Sequence, residues 1–101
     1  MNTLVAPVLV AQVPTQSGSR YLQQLCKHWS HKFAVDFTPE QGMVPLPFGR
    51  LDLIAHPDTL EVRIAPTSPD VVDKAKEVVA SHLDRFAFRE APLAFDWREE
   101  G

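Results

Sequence analysis

Along residues 20–33, RYLQQLCKHWSHKF, apolar side chains return at Leu22, Leu25, Trp29 and Phe33, with Tyr21 and Cys26 at the edges of the stripe. A period of 3.6 residues gathers these positions on one side of a helix. Arg20, Gln24, Lys27 and His31 then fall on roughly the opposite side, flanked by His28. The hydroxyl-rich run at residues 15–19 offers N-caps, of which Ser17 is the preferred one. A second stripe of the same period comprises Val71, Val72, Ala75, Val78, Val79, Leu83 and Phe86. It follows Ser68-Pro69-Asp70, which supplies a cap, a proline at the first helical position and an acid in the first turn. Phe88 falls off this stripe, so the second helix ends near it.

Between and around the helices the period changes to two. The apolar run at residues 4–11, interrupted by Pro7, and its continuation to Val13 before Pro14 read as a first strand. Phe33, Val35 and Phe37 alternate with Ala34 and Asp36, a strand with one buried face, and residues 38–42, TPEQG, form a turn. With Asp58 in a hairpin turn, Leu51, Leu53 and Ala55 oppose Ile64, Val62 and Leu60, and Asp52 opposes Arg63 on the other face. A turn at Phe48 and Gly49 likewise sets Leu46 against Leu51 and Val44 against Leu53. Pro45 and Pro47 lack N–H groups on the same side of their strand, which marks an edge or a bulge. Leu93, Phe95 and Trp97 alternate in a tail too apolar to be free, and this tail is expected to be ordered.

These elements specify an α+β fold: an antiparallel sheet of four to five strands with two helices on one face, in the order β-α-β-β-β-β-α. Residues 1–101 are read as a single domain. With 45 % hydrophobic and 23 % charged residues the chain has the composition of a globular protein. One cysteine rules out an intramolecular disulfide, so the fold does not depend on an oxidising compartment, and the cytoplasm is the expected location. No stretch is long and apolar enough to span a bilayer. A formal net charge of −3 argues against nucleic-acid or membrane-surface partners, which demand a basic footprint.

The basic row on the first helix is therefore an inversion of the overall charge. Arg20, Lys27 and His31, extended by Lys32 and Arg85, form either a solvated helix face or a site for a carboxylate, a phosphate or an acidic protein surface. The string Cys26-Lys27-His28-Trp29-Ser30-His31 has the look of metal-ligand spacing. Cys26 and His28, however, are separated by about 200° of helical rotation and point to nearly opposite sides. Cys26 is read as a small buried apolar residue. His28 and His31 are three residues apart and can face one ligand, with His82 as the third donor. His82 lies inside the apolar stripe of the second helix, where an imidazole must be satisfied by a backbone carbonyl, a side chain such as Tyr21, or a functional role. No Gly-rich phosphate loop, nucleophile elbow, CxxC or HExxH motif occurs, so enzyme activity is not expected and no cofactor is implied.

The segments RYLQQLCKHWSHKF at residues 20–33 and HLDRFAFREAPLAFDW at residues 82–97, with PLPFG at residues 45–49, resemble the signature segments of the bacterial domain-of-unknown-function family 2218. The resemblance covers nearly the whole chain and brings no assigned residue roles. It implies a connection with iron acquisition, because members of that family occur alone and as an extra domain on siderophore-interacting, flavin-dependent ferric reductases. The leading expectation is a non-catalytic accessory or binding module, with Arg20, Lys27, His28 and His31 as its contact surface. Its partner would be a siderophore reductase or a small anionic ligand. Two other readings stand beside it. One is a metal-binding protein or small metalloenzyme using His28, His31 and His82; the other is a homodimer-forming structural protein that pairs through Trp97, Phe95 or the strand face near Met43 and Ile54.

Overall fold

The computed structural model describes residues 7–100. Six strands, β1 (Val8–Pro14), β2 (Asp36–Phe37), β3 (Gln41–Leu46), β4 (Gly49–Ala55), β5 (Thr59–Pro66) and β6 (Trp97–Glu100), form one antiparallel sheet in the order β2-β3-β4-β5-β1-β6. Helix α1 (Gly18–Trp29) follows β1, and helix α2 (Val72–Phe86) follows β5 through a short 3-10 turn at Pro69–Val71. The α+β class is as the periodicities predict. Of the predicted first strand, Leu4, Val5 and Ala6 lie outside the described residues.

The alternation along each strand decides which face is covered. Leu9, Ala11 and Val13 of β1, Leu51 and Leu53 of β4, and Leu60, Val62 and Ile64 of β5 are buried. Helix α1 lies over β3, β4 and β5, and α2 packs on β5 and α1. Leu22, Leu25, Cys26 and Trp29 of α1 and Ala75, Val79 and Leu83 of α2 complete the core. At roughly 1.5–3 kcal/mol for each fully buried aliphatic side chain, this layer is the main source of cohesion. The other face of the sheet carries Arg50, Asp52, Glu61, Arg63 and Arg98, joined in ion pairs along with Asp96 and Glu100.

The predicted β4–β5 register is present in full: Leu51 opposes Ile64, Leu53 opposes Val62, Ala55 opposes Leu60 and Asp52 opposes Arg63. The β3–β4 register differs from the expected one by two residues. Val44 opposes Leu51 and Leu46 opposes Gly49, leaving Pro47 and Phe48 as the two-residue loop. Gly49 belongs to the strand because it lies against β5. A Cβ there would sit 2.6 Å from the Ala65 carbonyl oxygen, and its φ of +156° disfavours any other residue. Strand β3 is covered on its outer side only at Gly42 and Met43, by the two residues of β2, so Pro45 lies beyond its neighbour's reach.

Three other details depart from expectation for local reasons. Helix α1 stops at Trp29 instead of continuing to Phe33. Ser30 Oγ donates to the Lys27 carbonyl at 2.7 Å, and the amides of Lys32 and Phe33 both turn back to the Trp29 carbonyl. Ser17 occupies the N-cap position but makes no side-chain capping bond; its own amide donates to Thr15 Oγ1 at 3.0 Å. The tail adds a sixth strand, β6, beyond the four or five expected. Trp97 opposes Ala11 and Glu100 opposes Val8, so this polar WREE segment is held by the β1 ladder rather than by apolar alternation of its own.

Candidate functional site on the helical face

The C-terminal half of α2 runs along α1, and their contact divides the predicted basic row into two groups. At one end, the His28 ring lies 5.6 Å from the His82 ring and 5.8 Å from the Phe86 ring, centroid to centroid. His82 is half-buried and packs on Trp29 at 4.8 Å. Its Nδ1 lies 2.7 Å from the Val78 carbonyl oxygen, one helical turn back, so Nδ1 carries the proton and donates. The backbone therefore satisfies this histidine, while Tyr21 bonds elsewhere. Among the described residues no three His, Cys, Asp or Glu side chains gather as a metal centre requires.

His28 itself is exposed, as are Lys27, His31, Lys32 and Arg85. Partial burial, followed by the charges of His82, Arg85, His31 and Lys32, holds the His28 pKa below the usual imidazole value. These five basic groups, from α1, the turn after it and α2, share one electrostatic neighbourhood. At the other end of α1, Arg20 and Tyr21 line cavities with Phe86, Phe88 and Arg89. Lys27 stands on the exposed side between the two groups.

Two carboxylates of the helical layer, Asp84 and Glu90, are engaged in internal hydrogen bonds. Residues 15–35 contain no Asp or Glu. Asp84 of α2 accepts the Leu93 amide at 2.9 Å, which anchors the start of the tail. Glu90 Oε2 accepts from the Tyr21 hydroxyl and, at 3.0 Å, from Thr15 Oγ1. Every ion pair among the described residues lies on or beside the sheet, at Arg50–Asp52, His56–Glu61, Arg63–Glu61, Arg63–Glu100 and Arg98–Asp96. The helical layer is left with unpaired positive charge on a chain that is negative overall.

Two features were not legible beforehand. Glu90 holds the start of the tail by accepting from two hydroxyl groups, and Arg89 lines the same cavity as Arg20. No local signal links residues so far apart in the chain. On the opposite side, Asp36, Met43, Arg50, Asp52, Ile54 and Arg63 border an open concavity of about 590 Å³. Phe95 and Trp97 stack on each other at 5.6 Å.

Residues 10–98 match the bacterial domain-of-unknown-function family 2218, described as an uncharacterized protein conserved in bacteria. The chain belongs to that family. The match spans every helical-face residue named above. Among solved structures, this member of family 2218 is similar to the NMR structure of PA4090 from Pseudomonas aeruginosa. The two share 35 % identity, the match covers 92 % of this chain and 96 % of that one, and the TM-score is 0.76. No curated protein matches the chain. Among the described residues of this family member, no helix is long and apolar enough to cross a membrane.

Proposed function

We propose that the protein is a non-catalytic binding module whose helical face holds an anionic partner. Arg20, Lys27, His28, His31 and Arg85 form the contact surface, and His82 positions His28 from beneath. The observation that supports this reading is the segregation of charge: the cations of this face take no ion-pair partner among the described residues, while Asp84 and Glu90 are held by internal hydrogen bonds. Such a face attracts acidic surfaces, orients them and speeds their encounter, with a strength that falls as salt rises. Imidazole and guanidinium groups side by side suit carboxylate-rich or phosphorylated partners.

The link to iron–siderophore utilisation rests on the family likeness. On that reading the partner is a siderophore-interacting ferric reductase or the anionic ferric siderophore it handles. Isothermal titration of the protein with each, at low and at physiological salt, tests the assignment. Binding that weakens severalfold in Arg20→Ala and Lys27→Ala and again on adding salt is the expected result. Absence of binding to either partner removes the reading.

A further inference from the structure

At the Arg20 end the helical face offers shape as well as charge. Two adjoining cavities, of about 420 and 160 Å³, share Arg20, Tyr21 and Arg89 as walls. The larger includes the Glu90 carboxylate; Gln24, Phe86 and Phe88 complete the lining of the smaller. Although Glu90 borders the same space, neither guanidinium forms an ion pair with it, and its Oε2 accepts from the Tyr21 and Thr15 hydroxyls. The two arginines and one glutamate leave the crevice one positive charge in excess. Phe88 is 71 % exposed, the one large apolar side chain among the described residues left so open, and the Arg89 guanidinium carbon sits 5.7 Å from its ring centroid.

We propose that this crevice binds a small organic carboxylate with an apolar body the size of one ring, an assignment that rests on the anion-binding reading of the helical face. The carboxylate lies between Arg20 and Arg89, and the body lies against Phe86 and Phe88. Guanidinium forks match the planar carboxylate, and a single negative charge balances the local excess. A dianion such as phosphate overshoots that balance beside Glu90 and leaves Phe86 and Phe88 without an apolar partner. The smaller cavity also has the right capacity, since a cavity of about 150 Å³ accommodates a benzene molecule.

The test is a titration of the full chain with benzoate, acetate and inorganic phosphate, followed by amide NMR shifts. Benzoate should give saturable shifts confined to residues 16–24 and 86–90, and should bind at least about tenfold tighter than acetate or phosphate. Arg20→Gln and Arg89→Gln should each weaken benzoate by about tenfold. Both sites are on the surface, so the rest of the spectrum reports that the fold is intact. Phe88→Ser should narrow the gap between benzoate and acetate. Shifts that do not saturate, that fall elsewhere or that persist in the double arginine variant overturn the proposal, as does tighter binding of phosphate. Benzoate binding without docking of a reductase or siderophore upholds the crevice and overturns the wider reading. Docking without benzoate binding does the reverse.

Discussion

The Tyr21 hydroxyl donates to the Glu90 carboxylate, joining the first turn of α1 to the segment after α2 across 69 residues of chain. Thr15 donates to the same oxygen, so one carboxylate ties the end of β1, the start of α1 and the start of the tail. The hydrogen bond to Glu90, then burial, then the Glu90 charge raise the Tyr21 pKa above its usual value of 10.0. A raised acid contributes stability that is complete below its unfolded pKa and is lost as pH rises through the folded value. Tyr21→Phe is expected to cost about 1 kcal/mol in urea unfolding at neutral pH. Above about pH 10 the native protein should lose stability more steeply than the variant. The chain has a single tyrosine, so tyrosinate absorbance reads this titration directly.

Acid should act on the other end of the helix pair. His28 has a depressed pKa, caused first by burial and then by His82, Arg85, His31 and Lys32. The unfolded chain therefore takes up a proton before the folded one does, and stability falls as pH drops below 6.5 toward the folded value. The effect is small, because His28 is exposed and its neighbours are screened by solvent. His28→Gln should flatten the fall in urea midpoint between about pH 7 and pH 5. Equal slopes in the two proteins would remove His28 as the cause.

The parts of this fold legible in the sequence are those where period and partner agree. Leu51, Leu53, Leu60, Val62 and Ile64 specify the β4–β5 register because any slip of one residue would turn them to water. Between β3 and β4 the prolines remove part of the signal, and Gly49 can be read as a turn or as a strand residue pressed on β5; its φ and its neighbours decide for the strand. β6 was hidden because Arg98, Glu99 and Glu100 have no apolar alternation, and only the β1 ladder holds them. On the helical face, His31 lies past the end of α1 at Trp29, whereas the placing of Arg20, Lys27 and His28 follows from helical geometry alone. The part of Arg89 and Glu90 does not, since it arises from contacts between segments that no local pattern couples.

Cys26 is fully buried, and desolvation pushes its thiol up to about 11. Thiol reagents attack the thiolate, so at pH 8 the folded protein is protected twice, by access and by protonation state. Labelling with a maleimide or disulfide reagent should proceed only through opening of the α1–sheet contact. Its rate should rise with urea in parallel with unfolding. Rapid stoichiometric labelling in the absence of denaturant would show that this layer opens independently of the rest.

Cys26 also packs closely on the sheet at Gly42. A Cβ built on Gly42 of β3 would lie 2.6 Å from Cys26 Sγ and 3.4 Å from Leu22 Cδ2. The first distance is far inside contact range, and Sγ sits on a short side chain with little freedom to retreat. Gly42→Ala is thus expected to force α1 away from the sheet, at a cost of roughly 1–3 kcal/mol for overpacking a dense core. Cys26→Ala alone should also destabilise, through the lost contacts and the space left behind. Combining the two returns volume to the site, because the new methyl occupies part of what the sulfur vacates. The double variant should accordingly be more stable than the sum of the single losses predicts, by about 1 kcal/mol of coupling in a urea double-mutant cycle. Simple additivity would mean that the clash at Gly42 is relieved by movement of the backbone, and that α1 is not seated on β3 through this pair.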